Sequence, residues 1–79
     1  MNNKTYLMLR DIPCQVDYGL GNGWQPRMLR EGLDYIVSDL VIAGDITSFS
    51  LWDGKGFIGD YKVATAEFQQ HAKECQTKA

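Results

Sequence analysis

Three side chains in this sequence, Cys14, His71 and Cys75, are of types that ligate metals or act as nucleophile and base. A thiolate beside an imidazole attacks electrophilic carbon, and a set of thiolates and imidazoles closes around zinc. His71 and Cys75 stand four residues apart, which on a helix puts both on one face. A closed zinc site takes four ligands, however, and this chain offers three soft ones without a Cys-x-x-Cys spacing. No local spacing brings a base to a nucleophile. Packing therefore explains these residues better than chemistry, and the reading assigns no catalytic residue, no metal and no cofactor.

Gly19-Leu20-Gly21-Asn22-Gly23 is the other candidate for ligand chemistry, because glycines before a helix let phosphate approach backbone NH groups. The spacing is not the dinucleotide fingerprint, and no lysine followed by serine or threonine completes a P-loop. A flexible turn is the better reading.

Charge is more informative. The 79 residues carry eight basic and ten acidic side chains, a net charge of -2. Glu31, Asp34, Asp39, Asp45, Asp53 and Asp60 fall in the middle of the chain against Lys55 alone. Arg10, Arg27 and Arg30 are few and scattered, which argues against a surface built to neutralise phosphates and so against direct nucleic-acid binding. No apolar run approaches the roughly 20 residues of a membrane-spanning helix. Two cysteines are too few for the disulfide framework of a secreted mini-protein, which favours a reducing, cytoplasmic setting.

The elements that must position these residues follow from periodicity. Cys14, Val16, Tyr18 and Leu20 alternate with Gln15, Asp17 and Gly19, the pattern of a half-buried strand. Lys4 to Asp11 is its expected hairpin partner, with Pro13 marking the turn. Pro26 reads as the first position of a helix running to about Ala43, on the spacing of Leu29, Leu33, Ile36, Val37 and Leu40, with Gly44 closing it. Gly32 and the branched Ile36, Val37, Val41 and Ile42 oppose that reading, and the competing one is a short helix over 26–31 followed by a buried strand. Ile46 to Trp52 and Phe57 to Tyr61 form a hairpin about Asp53-Gly54-Lys55-Gly56. Thr65 is the expected N-cap of a last helix with Phe68, Ala72 and Cys75 on its inner face, fraying near Gln76.

The sequence thus predicts one α+β domain over residues 1–79, a small four-stranded, mainly antiparallel sheet with two helices on one face, in the order strand, strand, helix, strand, strand, helix. Met28, Tyr35 and Ile42, seven apart, line the outward side of the first expected helix, flanked by Asp34 and Asp39. Trp52, beside Asp53 at the hairpin shoulder, is a candidate anchor, and Trp24 is another that fits a core role as well. These residues, Met28, Tyr35, Asp39, Ile42, Trp52, Asp34 and Asp53, predict a partner-binding face with an apolar centre and an acidic rim. The expected function is that of a non-enzymatic protein–protein interaction module, a small regulator or inhibitor that occupies a basic surface of a larger protein. Such chains include accessory proteins of phages and other mobile elements. The alternative is a structural homo-oligomer, pairing with its own copy as a dimer.

Overall fold

The computed structural model describes residues 3–75. Its elements are β1 (Lys4–Met8), β2 (Ile12–Asp17), β3 (Gln25–Leu29), β4 (Asp34–Ala43), β5 (Ile46–Asp53), β6 (Gly56–Ala64), the helix α1 (Thr65–His71) and β7 (Ala72–Cys75). The strands form one antiparallel sheet in the order β3-β2-β6-β5-β4-β1-β7. The protein is therefore mostly β, and the four-stranded α+β sheet with two helices is overturned.

This strand order forces the sheet to curl. Three strands lie between β1 and β2, so in a flat sheet the two would be about 19 Å apart at the usual strand spacing. Met8 and Ile12 are joined through residues 9–11, a span of about 14 Å at full extension. Only a curved sheet brings them within reach. The end of β1 is then held from two sides: Met8 N donates to Leu33 O at 3.0 Å, Gly32 N donates to Met8 O at 2.9 Å, and Leu9 N donates to His71 O at 2.6 Å.

The concave face is the core. In β2, Ile12, Cys14 and Val16 point inward and Pro13 and Gln15 outward; in β5 and β6, Thr47, Phe49, Leu51, Tyr61 and Val63 point inward. Met8, Leu29 and Val37 complete the wall. Burying each large apolar side chain is worth about 1.5–3 kcal/mol over leaving it in water. α1 adds Phe68, its one buried residue, whose ring lies 5.0 Å from Tyr6 and 5.4 Å from Phe49.

The expected helix over 26–43 does not form. Met28 lies on β3, Gly32 turns the chain at φ +84°, and Tyr35 and Ile42 lie on β4. The branched residues of 36–42 fit a pleated surface, and tertiary pairing outweighs the accidental helical spacing of the leucines. A bulge hides the strand's own period. Ser38 pairs with Ser50 but Val41 with Ser48, so Asp39 and Leu40 oppose Phe49 alone, and Asp39 takes φ +54°.

Three smaller expectations also change. β1 pairs with β4 and β7, and β2 with β3 and β6, so the two do not form a hairpin and Pro13 lies inside β2 opposite Met28. The last helix stops at His71, and Ala72–Cys75 become an edge strand beside β1. Ala64, not Thr65, precedes the helix at its N-cap. Thr65 instead donates from Oγ1 to Gly44 O at 2.9 Å, with its Oγ1 also 2.9 Å from Thr47 Oγ1, which ties α1 to the β4–β5 turn. The hairpin over 46–61 stands, longer than expected at its far end. The expected fraying near Gln76 lies outside the described residues.

Candidate functional site

The loss of the expected helix disperses its stripe. Met28 is on the outer face of β3, Ile42 is exposed near the end of β4, and Tyr35 is half-buried at the other end of that strand, accepting Arg30 N at its hydroxyl at 3.0 Å. Asp39 sits at the bulge. These four do not form one surface.

Four of the seven assignments do meet, Tyr35 among them. Tyr35, Asp34, Trp52 and Asp53 line a depression of about 450 Å³ together with Thr5, Ile36 and Ile58. The register explains it: Thr5 pairs with Ile36, Ile36 with Trp52, and Trp52 with Phe57, so one outward row crosses β1, β4, β5 and β6. Trp52 is fixed within this row. Its Nε1 donates to Ser38 Oγ at 2.6 Å, and Phe57 meets its ring edge-on at 5.5 Å and 70°. Ile36 and Phe57 are 37% and 51% exposed, so the apolar centre is open to a second molecule. Asp34 begins β4 and Asp53 ends the antiparallel β5, which places both carboxylates at the same end of that centre.

Sequence reasoning missed Thr5, Ile36 and Phe57 as members of this row, and Ile58 as a residue lining the depression. Ile36 was hidden because the helical reading turned it inward; the alternation of Asp34, Ile36 and Ser38 against Tyr35 and Val37 is the signal that would have placed it.

A second depression, of about 510 Å³, opens on the other end of the outer face between Pro13, Pro26, Met28, Ile46, Lys62 and Ala64. Lys62 Nζ lies 4.1 Å from the centroid of the Trp24 ring, a cation–π contact that assigns Trp24 to the surface. Arg27 folds back onto its own strand, donating to Pro26 O at 2.7 Å and Gln25 Oε1 at 2.9 Å, and lies 5.9 Å over Tyr18. Arg30 reaches Asp11 at 3.9 Å. The two arginines are thus engaged within the fold.

The groups first singled out for chemistry do not converge. Cys14 and Cys75 are free thiols, Cys14 in the core and Cys75 on the edge strand β7 opposite Thr5. Burial pushes the Cys14 thiol up to about 11 against the opposing pull of a Leu29 backbone hydrogen bond and the Arg27 charge. That is the opposite of nucleophile activation. Burial likewise raises the Tyr61 phenol to about 12, with Tyr18 adding to the shift. His71 ends α1 and Cys75 lies beyond it, so no helix face carries both. Among the described residues, no three of His, Cys, Asp or Glu are grouped to hold a metal. The glycine run joins two strands, and Asp17 Oδ1 accepts Gly19 N at 2.8 Å, so no helix start lies beside it for a phosphate.

Comparison with protein-family models, with curated proteins and with solved structures found no match. Among the described residues, no helix is long and apolar enough to cross a membrane.

Proposed function

We propose that this protein is a non-enzymatic protein–protein interaction module, a small regulator or inhibitor that docks on a basic surface of a larger protein. The observation that carries this reading is the outward row of Ile36, Trp52 and Phe57, apolar and open, with Asp34 and Asp53 beside it. An anchored tryptophan with an open aromatic neighbour and a charged rim is the composition of a docking hot spot. The carboxylates add steering: they attract a cationic surface over a Debye length of about 8 Å at physiological salt and set the approach.

The test is capture by the immobilised protein from a cell lysate, with mass-spectrometric identification and then association kinetics on the purified partner. The expected result is a discrete protein with a basic docking surface, lost with Phe57→Ser, whose association slows with added salt and with Asp34→Asn/Asp53→Asn. A partner retained unchanged by both variants sinks this reading of the surface, and turnover of a small molecule by the wild type sinks the non-enzymatic assignment.

A further inference from the structure

The outer face of the β5–β6 hairpin reads alike from either end. On β5 the residues that alternate with buried Thr47, Phe49 and Leu51 are Ile46, Ser48, Ser50 and Trp52. On β6 those that alternate with buried Tyr61 and Val63 are Asp60, Lys62 and Ala64, with Phe57 ending the row beyond the bulge. The register sets Ile46 beside Ala64, Ser48 beside Lys62, Ser50 beside Asp60 and Trp52 beside Phe57. Each strand is apolar at both ends; the middle of one holds two hydroxyls, and the middle of the other holds a cation and an anion.

We infer that this face docks on a second copy of the chain. A two-fold axis lying between the two sheets, perpendicular to the strands and level with Phe49 and Tyr61, lays β5 over β5 and β6 over β6 in reversed direction. Lys62 then faces Asp60 of the second copy and Asp60 faces its Lys62. Ser48 meets Ser50, and Ile46 covers Trp52. Both ion pairs are made by one symmetry operation, which is the property of an isologous interface. Packed sheets stand about 10 Å apart, a gap that a lysine and an aspartate side chain bridge between them.

Asp60 also has reason to seek a cation. Across β2–β6 its direct neighbour is Asp17, a like charge on the same outer face, while its own hydrogen bond comes from the uncharged Ser50 hydroxyl at 2.9 Å. The lysine of a second copy offsets that repulsion. Apolar positions widen the face on β4, where Ala43 and Val41 lie beside Ile46 and Ser48.

The footprint sets the strength. Ile46 to Trp52 spans about 20 Å and four strands span about 19 Å, so the projected area is at most about 400 Å² per copy, the convex curl of this outer face making the true contact smaller. Even doubled, that lies below the standard size of a specific interface and belongs to a weak, transient dimer of micromolar or lower affinity. The pairing stands on Lys62 and Asp60, not on Asp34 and Asp53, so it is independent of the partner reading. Because it covers Trp52, the paired form and the partner-bound form exclude each other.

Sedimentation equilibrium of the full chain from about 5 to about 500 μM tests this. The wild type shifts from monomer to dimer; Lys62→Asp and Asp60→Lys each weaken pairing about tenfold or more, and the double exchange Asp60→Lys/Lys62→Asp restores it to within about threefold. Circular dichroism confirms folding of each variant. Ile46→Arg, an exposed apolar position, also abolishes pairing and serves if a charge reversal fails to fold. A wild type that stays monomeric at the highest concentration overturns the inference. So does a dimer indifferent to Ile46→Arg, or a double exchange no better than its single parents.

Discussion

Across the β4–β5 pair, the indole of Trp52 donates to the hydroxyl of Ser38, and Ser38 is itself 3% exposed. A polar group this deeply covered is retained because it gives the indole its acceptor and holds the ring in one orientation. Ser38→Ala removes the acceptor and should lower stability by about 1 kcal/mol. Urea unfolding followed by tryptophan fluorescence measures the loss, and an unchanged midpoint would show that water replaces the hydroxyl at no cost.

Gly59 is needed for space. A Cβ there would lie 2.9 Å from the Asp17 carbonyl oxygen and 3.3 Å from Val16 Cγ2, and the first of these is backbone that cannot swing away. Gly59→Ala should therefore pry β2 from β6 and cost about 1–3 kcal/mol. Gly54→Ala, at a position with nothing within 4 Å, is the matched control and should leave the urea midpoint nearly unchanged.

Phe68 joins α1 to the core through its contacts with Tyr6 and Phe49. Phe68→Ala should cost about 3–5 kcal/mol, a large part of what a domain of this size has. Amide hydrogen exchange at 25 °C should show the helix and β7 losing protection first. Uniform loss across all strands would mean the helix is integral to a single cooperative unit.

Asp17 and Asp60 oppose one another on the outer face of β2 and β6. Asp17→Asn keeps a side-chain oxygen for Gly19 N while removing the like charge, and should stabilise the fold by a few tenths of a kcal/mol. The gain should shrink in high salt, where the repulsion is already screened. A melting temperature that falls at low salt would disprove the repulsion.

Cys14 and Tyr61 fix the alkaline limit. Both hold their protons more tightly when folded, Cys14 up to about 11 from 9.0 and Tyr61 up to about 12 from 10.0, chiefly through burial. Above pH 9 the unfolded chain releases protons that the folded chain keeps, so stability is full below that pH and falls as pH rises toward about 12. Urea midpoints from pH 7 upward check the onset. In the folded protein at pH 8, a thiol reagent should modify Cys75, which is half-exposed, well before Cys14.

The β5–β6 hairpin was legible because its glycine turn and its alternation agree, and both are local. β2 was legible in part, through the alternation of Cys14 to Asp17, but it begins at Ile12 with Pro13 inside it and ends before Tyr18 and Leu20. What could not be read was which strands pair: β1 finds β4 and β7, and β2 finds β6, across long stretches of chain that no spacing rule connects. The segment over 26–43 misled because the bulge at Asp39 shifts the inward set from Tyr35 and Val37 to Leu40, which imitates helical spacing. Trp52, Asp34 and Asp53 were reached by residue type, yet Ile36 and Phe57 join them only through the register of four strands.

The lodging of β1 between β4 and β7 has a consequence for biosynthesis. β1 is made before both of its neighbours and finds them only after the β4 segment and then residues 72–75 have been made. Until then Tyr6, Leu7 and Met8 remain without their final cover, and any nascent chain cut short before Ala72 carries that strand as an open, adhesive edge.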